Sequence, residues 1–524
     1  MGRHVAGAGF LKGFATYAEV DKFYCQVLEP THAEDFAQRI KMLAGRSGQG
    51  CSVVTPDGMP QLPESARTLY TPDPAIGVHA WRRRTIGAQH YSICGVNHTI
   101  SSDTAMDGLA GLVTSPVQPW DAVICTSRAA KAVMVRVLDN YADYLGRRGG
   151  GKFRAQLKMP VIPLGVDCGQ FLEGEAAEKV RGGVRRGLGI AADDFVALYV
   201  GRLSFHAKAH PLPMYLALEQ AALRTGKRIH LIQAGWFPNE GIEREFRDGA
   251  RAFCPSVNPI FLDGRDQAVC RDVWCAADSF ISLSDNVQET FGLTPIEAMA
   301  AGLPCIVSDW NGYRDTVRDE IDGFAVPTWL PLPGSGGDMV LPSDVLLSKA
   351  ARDRNYNHYC GVVSQCTGID VAKAAEAVTA LVQNPELRRR MGEQGRQRAR
   401  ETFDWSVVIH AYQDLWRELA HIRSHGEEVG APVEGRPVHP LRDDPFAIFA
   451  GYATATVDGE TVVELMGAET NSGVATGLAS LEQRLSTLRA ASMNDYAARV
   501  MLADEDISAV LQSLNDKGPQ DVFR

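Results

Sequence analysis

The sequence predicts an α/β protein in which two doubly wound domains face each other. Short apolar runs alternate with longer amphipathic stretches, a pattern typical of parallel sheets with crossover helices. These units form two series, separated by a charged helical stretch near residues 170–192. With 524 residues, 45% of them hydrophobic, the chain can bury more than one core.

The first series combines four apolar runs with amphipathic segments. Ser127 directly precedes the segment SRAAKAVMVRVLDNY and is a candidate N-cap for a helix there. The apolar runs predict strands over residues 22–28, 91–97, 121–127 and 159–166.

The second series is more regular, since helical sequence follows each apolar run. The predicted strands span residues 194–201, 228–235, 259–264, 278–285 and 303–309. In open α/β sheets, ligands bind outside the carboxyl ends of the strands. The residues that directly follow these runs are therefore the candidates for a binding site.

The domain boundaries follow from these two series and from the composition after them. Residues 327–338 are rich in proline and glycine and predict a loop insertion. A polar linker and a tail with two amphipathic stretches end the chain, which leaves domain bracing and homo-oligomerisation open as roles of the tail. We expect a first domain over residues 1–180, a second over 190–403, a helix crossing back over 404–425, and a linker with a mainly helical extension over 426–524.

Composition excludes several classes of protein. A net charge of −10 and a pI near 5.8 argue against a general nucleic-acid binder, which normally carries a basic face. Eleven cysteines lack metal-ligand spacing and indicate mostly buried thiols in a reducing compartment. Because no apolar run reaches the length of about 18 residues typical of a membrane span, we expect a cytoplasmic enzyme or binding protein.

Two glutamates stand out in the stretch SDNVQETFGLTPIEAMAAGLPCIVSD, residues 284–309. Glu297 has a simple explanation, because Thr294 as N-cap, Pro295 and Glu297 form a capping-box pattern at a helix start. That pattern does not account for Glu289 in the preceding loop. A helix N-terminus after a parallel strand suits a diphosphate, and nearby acids would accept hydrogen bonds from sugar hydroxyls. The stretch therefore indicates a sugar-nucleotide site.

Cations for such a diphosphate follow the first strand of the same series. In VALYVGRLSFHAKAHP, Arg202 comes directly after Gly201, and Lys208 lies six residues further on. An ordinary solvated surface pair is the alternative. The position at a strand's carboxyl end, in an acidic half of the chain, favours phosphate binding.

In combination, GRLSFHAK and ETFGLTPIEAMAAGLPCIVSD resemble the donor-domain signatures of the retaining glycosyltransferases of family 4, which have the GT-B fold. The resemblance is clearest over residues 194–325. The stretches PLGVD (163–167) and FDWSVVIHAYQDLW support it, the latter as the closing helix that crosses back to the first domain.

The resemblance also implies roles for individual residues. Arg202 and Lys208 would hold the donor diphosphate, Glu289 would contact the donor sugar, and Glu297 would bind the ribose hydroxyls. His98, in CGVNHTISS, matches a family histidine that faces the reacting sugar. The alternative interpretation is that His98 is a loop residue with a purely structural role. The remaining donor-binding candidates are Gly201, Phe291, Gly292, Leu293, Thr294 and, for the base and by position only, Arg265.

Three features depart from the family pattern. Ala209 follows Lys208 where the family usually has glycine, and the stretch NGYRD, residues 311–315, replaces a Gly-Gly-x-x-Glu motif. The chain also begins almost at a glycine-rich stretch, GAGFLKGF, which predicts a loop with a minimal or missing first strand. These departures concern the acceptor side more than the donor side.

The activity implied is transfer of a hexosyl unit from a nucleoside diphosphate sugar to a hydroxyl, with retention and without a metal. No cofactor is implied besides this co-substrate. The acceptor, whether glycan, lipid-linked or small molecule, is undetermined, as is the base, for which UDP, GDP and ADP are candidates. The basic run at residues 81–84 leaves peripheral membrane contact open, with a solvated helix or strand edge as the alternative.

Other activities fit parts of the same pattern. An epimerase acting on sugar nucleotides, or a phosphorylase with lysine-bound pyridoxal phosphate, would share the fold. A non-catalytic protein that binds nucleotide sugars or glycans would share the site. A dinucleotide-dependent dehydrogenase is disfavoured, because Gly7, Gly9 and Gly13 do not have the Gly-x-Gly-x-x-Gly spacing.

Overall fold

The computed structural model describes residues 2–27, 30–44, 50–54, 56–336, 356–464, 481–497 and 502–521. The chain forms two compact units, Met1–Pro432 and Val433–Arg524. Among the helices in these ranges, none is both long enough and apolar enough to cross a membrane.

The first half of the larger unit contains two small parallel sheets. Strands β1 and β2 pair with each other, and the second sheet has the order β3-β4-β5. Its elements are α1 Gly2–Tyr17, β1 Lys22–Cys25, α2 Pro30–Ala44, β2 Gly50–Val53, β3 Thr68–Thr71, α3 Gly77–Arg84, β4 Ser92–Val96, α4 Asp103–Ala110, β5 Ala122–Ile124 and α5 Arg128–Gly149.

Three of the four strands predicted in this half are confirmed, in shorter form, although residue 28 lies outside the described residues. The fourth, over residues 159–166, is wrong. This segment runs beside β5, where Cys125 N–H donates to Pro160 O at 2.9 Å and Ile162 N–H donates to Cys125 O at 3.1 Å. Pro160 and Pro163 have no N–H to donate, so the pairing reduces to isolated bridges. Strands β2 and β3 were not predicted.

The glycine-rich beginning of the chain is a helix, which corrects the prediction of a loop. Its glycines serve packing, because a Cβ on Gly13 would lie 2.8 Å from the Trp405 side chain and one on Gly9 would lie 3.1 Å from it. A Cβ on Gly165 would come within 2.4 Å of the same indole. The three glycines therefore make room for one tryptophan that is distant in sequence.

The second half contains one six-stranded parallel sheet in the order β11-β10-β9-β6-β7-β8. All five predicted strands are confirmed, and β11 was missed. The elements are α6 Gly174–Gly187, β6 Phe195–Val200, α7 Leu212–Thr225, β7 Ile229–Gly235, α8 Glu240–Phe253, β8 Val257–Asp263, α9 Gln267–Ala276, β9 Ser279–Ser282, α10 Leu293–Ala300, β10 Cys305–Ser308, α11 Tyr313–Thr316, β11 Gly323–Val326, β12 Thr328–Trp329, α12 Tyr356–Ser364, β13 Gly368–Ile369, α13 Val371–Gln383, α14 Pro385–Arg398 and α15 Trp405–His425.

Alternate residues of the central strands face two separate cores. Ala197 and Leu231 belong to the core under α7 and α13, whereas Val196 and Leu198 belong to the core under α9 and α10. Helices cover both faces, which explains why these strands are apolar almost throughout. Residues 327–336 follow the predicted loop insertion apart from the short β12, and residues 337–338 lie outside the described residues.

Helix α15 returns to the first half, as the sequence predicted. Trp405, Ile409 and Tyr412 pack with Val96 and Ile124 of the first-half sheet. This arrangement of two parallel-sheet α/β domains linked by a returning helix confirms the predicted fold class.

The basic run at residues 81–84 forms the C-terminal turn of helix α3. Its arginines do not form a continuous basic surface. Arg83 is fully buried, and its guanidinium donates to both carboxylate oxygens of Asp121, at 2.6 and 2.7 Å. Arg84 donates to Gly430 O at 2.6 Å. Two of the three arginines therefore have partners within the protein, which weakens the case for membrane contact. The cysteines are mostly buried, as predicted, but Cys270 and Cys366 are exposed.

The smaller unit carries short helices and one small antiparallel pair, β14–β15. Asp504, Glu505 and Asp506 form the exposed first turn of a helix, and Asp504 pairs with Arg489. Across the described ranges, no group of three His, Cys, Asp or Glu residues is placed to hold a metal ion. The amphipathic stretch at 478–491 begins outside the described residues. The elements are α16 Pro445–Ile448, β14 Val462–Val463, α17 Leu481–Ala490, α18 Asp504–Lys517 and β15 Gln520–Asp521.

Candidate active site

The candidate site lies where the strand order of the six-stranded sheet reverses. Strands β6 and β9 are neighbours there, and the chain continues from β6 toward one edge and from β9 toward the other. Their following loops diverge and leave a crevice at the carboxyl edge, the position where such sheets bind ligands. The loop after β6 carries Gly201, Arg202 and Lys208, and the loop after β9 carries Glu289.

The structure joins two of the predicted site residues in an ion pair across this crevice. Lys208 Nζ donates to Glu289 Oε2, and the two side chains are 22% and 14% exposed. Although burial opposes the charge of each group, their mutual attraction prevails. It raises the pKa of Lys208 above its usual value and holds the pKa of Glu289 below its usual value. Both groups are therefore charged at neutral pH.

Glu297 interacts electrostatically with Lys208 but is poorly solvated. Burial raises the pKa of Glu297 to about 7, and the nearby Lys208 ammonium offsets only part of that rise. Glu297 thus differs from Glu289, because its carboxyl group changes charge near neutral pH.

The predicted capping box at Thr294 is wrong. Helix α10 begins two residues earlier than that pattern predicts, at Leu293, and its N-cap is Gly292, with φ +98° and no side-chain cap. A glycine is required there, because a Cβ would lie 2.2 Å from the Tyr313 ring. The first-turn N–H groups of α10 are consequently not capped by a side chain, an arrangement that suits an anionic ligand.

The segment NGYRD, which replaces the family's usual motif, holds the loop before α10 in place. A Cβ on Gly312 would lie 2.4 Å from Phe291 Cα, so the two backbones are in direct contact. Tyr313 is buried beside Gly292, and its hydroxyl lies 3.0 Å from Ser282 Oγ on β9. This packing fixes the backbone from Phe291 to Leu293.

Residues of the first half contact the same loop. The Thr290 hydroxyl donates to His98 O at 3.0 Å, and the buried Ser127 hydroxyl donates to Thr290 O at 2.6 Å. Ser127 also caps α5 by accepting from Ala130 N–H at 3.0 Å, which confirms its predicted N-cap. The structure therefore places the His98 loop next to the residue that follows Glu289.

Helix α5 makes a second connection between the halves. Arg128 N–H and Arg128 Nε each donate to the Asp315 carboxylate at 2.6 Å. Asp315 is the last residue of the NGYRD segment. Sequence reasoning did not identify this contact, because the two residues are 187 positions apart.

The two predicted arginines lie outside the buried cluster. Arg202 donates to Ala207 O at 2.8 Å and so closes its own loop. Arg265 follows β8, two strands from β6, and forms an exposed ion pair with Asp263 at 2.8 Å. Their roles toward a diphosphate and a base stay predictions.

One further acid near the site was missed. Asp285 is 4% exposed and accepts weakly from His210 N–H, at 3.3 Å, which ties the end of the Lys208 loop to the loop after β9. Burial raises the pKa of Asp285 to about 7, and the His210 N–H counteracts this only in part. A charged residue directly after an apolar strand was the available signal.

Comparison with known proteins shows that part of the second half is similar to glycosyltransferases. The family model described as "Glycosyl transferases group 1" matches residues 182–329, a range that contains Lys208, Glu289 and Glu297. His98 lies outside it. The resemblance predicted from the sequence is confirmed at this level, whereas family 4 and retention of configuration stay predictions.

Among curated relatives, the chain is 31% identical over 170 residues to D-inositol 3-phosphate glycosyltransferase of Geodermatophilus obscurus. That alignment covers 32% of this chain and 36% of the relative's length. Alpha-maltose-1-phosphate synthase of Mycobacterium tuberculosis is 25% identical over 400 residues, which cover 68% of this chain and 89% of that enzyme.

Two solved structures are similar over most of their length. Anabaena Alr3699/HepE in complex with UDP matches with 17% identity and a TM-score of 0.46, over 76% of this chain and 99% of that one. Sucrose-phosphate synthase of Thermosynechococcus elongatus matches with 20% identity and a TM-score of 0.42, over 74% and 78%.

Proposed function

We propose that this protein is a retaining glycosyltransferase of family 4 that moves a hexosyl unit from a nucleoside diphosphate sugar to a hydroxyl acceptor, without a metal. The observation that carries the proposal is the cluster of Lys208, Glu289 and Glu297 at the strand-order reversal, beside the uncapped start of α10. The Lys208 cation and the first-turn N–H groups suit a diphosphate, and the two acids, which differ in pKa, suit sugar and ribose hydroxyls.

Lys208 would act on the departing diphosphate. The rate-limiting difficulty of glycosyl transfer is the negative charge that grows on the leaving group while positive charge develops on the sugar ring. The raised pKa of Lys208 keeps its ammonium charged throughout. Together with Arg202 and the first-turn N–H groups of α10, it would stabilise that leaving charge before the reaction begins, the usual origin of large electrostatic rate effects.

The acids would position the two ends of the donor. Glu289 stays ionised beside Lys208 and can accept hydrogen bonds from hydroxyls of the transferred sugar. Glu297 would accept from the ribose hydroxyls when it is ionised. His98 would face the reacting sugar from the first domain, and the departing diphosphate itself would accept the proton of the acceptor hydroxyl, so that the new bond forms on the original face.

The proposal is tested by donor turnover with UDP-, GDP- and ADP-hexoses and a set of hydroxyl acceptors, with and without EDTA. We expect one donor series to release its nucleoside diphosphate, unchanged by EDTA, and NMR of the early product to show the donor's anomeric configuration. Glu289→Gln should abolish release, whereas Arg244→Gln, an exposed change on α8, should not. Conversion of the donor to another sugar nucleotide without an acceptor would indicate an epimerase, and binding without turnover would indicate a binding protein.

A further inference from the structure

A cavity of about 540 Å³ lies outside the candidate active site, beside helices α7 and α8. This volume is within the range of small-molecule sites, roughly 300–1,000 Å³. None of the residues lining it is among the predicted donor-site residues. They are Phe205, His210, Pro211, Leu212, Tyr215, Glu245, Phe246, Asp248, Gly249, Ala252, Phe253 and Gln365.

The cavity is connected to the active site through the loop after β6. Phe205 and His210 line the cavity, and Lys208 lies between them in the sequence. Gln365 Nε2 donates to Phe205 O at 3.2 Å, and His210 N–H contacts the Asp285 carboxylate. A much smaller cavity, of about 10 Å³, shares His210, Pro211 and Phe246 with this one. Any occupant would therefore touch the segment that positions Lys208.

The walls and the rim of the cavity have different chemistry. Phe205, Tyr215, Phe246 and Phe253 supply aromatic surface, and Phe253 is 45% exposed at the opening. Glu245 and Asp248 place carboxylates on exposed positions of α8 at the rim, and Asp248 pairs with Arg251. Because Asp248 is paired, the Glu245 carboxylate is the group at this edge that disfavours phosphates and other anions, which it would repel.

The state of His210 restricts the occupant further. Leu212 N–H donates to His210 Nδ1 at 3.2 Å, and a backbone N–H can only donate, so Nδ1 is unprotonated. Burial also lowers the pKa of His210, which favours the neutral ring. The neutral ring then carries its proton on Nε2 as a donor. Glu245 can only accept. Hydroxyl groups suit both residues, because a hydroxyl can donate to the carboxylate or accept from the imidazole, whereas a cation can only donate and suits Glu245 alone.

We propose that this cavity is a binding site for a neutral carbohydrate, separate from the donor site. The apolar C–H face of a hexose ring would pack against the aromatic walls, in particular Phe253, and its hydroxyls would bond to Glu245, Gln365 and His210. The inference does not require the proposed transfer activity, since it concerns residues that have no part in the donor site.

The test is calorimetric titration of the whole protein with neutral oligosaccharides of two to five hexose units, in α- and β-linked series. We expect one series to saturate a single site. Phe253→Ala and Glu245→Gln should each weaken that binding by about tenfold or more, by analogy with the loss of packing or of a hydrogen bond to a charged group. Both positions are exposed, so neither change removes core packing. Arg244→Gln, on the same helix but outside the cavity, should bind as the wild type does.

A donor-site variant separates this site from the proposed function. Lys208→Ala should keep oligosaccharide binding, because its side chain does not line the cavity. The proposal is overturned if no oligosaccharide saturates, if Phe253→Ala and Glu245→Gln bind as the wild type does, or if Lys208→Ala abolishes binding. Saturation by benzylammonium, with no response to any sugar, would also overturn it, in favour of a cationic ligand. A negative oligosaccharide titration would not affect the proposed transfer activity, and a negative donor-turnover assay would not affect the proposed carbohydrate site.

Discussion

One ion pair in each half of the larger unit is shielded from solvent, completely in the first half and partly in the second. In the first half, Arg83 and Asp121 are fully buried, and Asp121 also accepts from Ile93 N–H and Gln118 N–H at 2.9 and 2.8 Å. In the second half, Lys208 and Glu289 keep partial exposure and open onto a crevice. The Asp121 carboxylate is held by partners inside the protein and serves the fold, whereas the Lys208–Glu289 pair faces a crevice and is available to a ligand.

The largest expected effects come from breaking each pair. Arg83→Ala leaves a buried carboxylate without its partner, a change that typically costs about 3–5 kcal/mol of unfolding free energy. Lys208→Ala should cost less stability but slow sugar transfer by about 100-fold, as the loss of one preorganised donor does. Denaturant unfolding and donor turnover, measured on both variants, check this division. Arg82→Ala and Arg244→Ala, at exposed positions in the first and second half, are the matched controls. Equal stability losses in Arg83→Ala and Lys208→Ala would contradict the distinction between a structural ion pair and one that is available to a ligand.

The next effect concerns the glycine that begins α10. Gly292→Ala introduces a side chain at φ +98° and 2.2 Å from the Tyr313 ring. Gly226→Ala, at the C-cap of α7, has φ +62° but open space around the added Cβ. A left-handed backbone alone costs about 1–2 kcal/mol, and overpacking adds about 1–3 kcal/mol. We therefore expect Gly292→Ala to lower the melting temperature more than Gly226→Ala and to weaken nucleotide binding as well. Similar melting temperatures would show that the Tyr313 contact is not tight.

A smaller effect is expected at the junction of the halves. Ser127→Ala removes both the α5 cap and the hydrogen bond to Thr290 O, whereas Ser102→Ala removes only the corresponding cap of α4. Each cap is worth about 1 kcal/mol, so the two variants should lose comparable amounts of stability from capping. Only Ser127→Ala should raise the KM for the donor, by a few-fold, because only it releases the loop beside Glu289. An unchanged KM would mean that this hydrogen bond does not position the loop.

The last effect is a pH dependence that separates the two glutamates. The pKa of Glu297 is raised to about 7, so it gains charge as the pH rises from 6 to 8, while Glu289 is already ionised. If the ionised Glu297 accepts from the ribose, donor affinity should rise with pH by up to about tenfold per unit below the pKa. An intact sugar nucleotide is the better probe, because a terminal phosphate itself titrates near pH 6. Glu297→Gln should flatten the profile, and an unchanged profile would exclude Glu297 as its origin.

Predictability from the sequence also differs between the halves. Strands β6, β7, β9 and β10 are buried almost throughout, so each is a nearly continuous apolar run that the sequence reveals. The first half relies on contacts between distant segments. Gly9 and Gly13 led to the prediction of a loop, whereas in the structure they lie in a helix and are small because Trp405 packs against them.

The site shows the same limit. Residue types at the strand ends indicated Lys208, Glu289 and Glu297 as a group, and the structure brings them together. The capping box failed because Gly292 adopts a left-handed conformation against Tyr313, a packing fact that local spacing does not contain. The links from Ser127 to Thr290 and from Arg128 to Asp315 join segments more than 150 residues apart and leave no local signal.

The measurement that tests the central claim most directly is thermal stabilisation by UDP, GDP, ADP and NAD, on the wild type and on Lys208→Ala and Arg202→Ala. A ligand at 100 times its dissociation constant adds about 2.7 kcal/mol to the folded state, a clear shift. We predict a shift with one nucleoside diphosphate, strongly reduced in Lys208→Ala. Three results would contradict a sugar-nucleotide site at this crevice. They are a shift with NAD alone, no shift with any nucleoside diphosphate, and shifts of equal size in the wild type and Lys208→Ala.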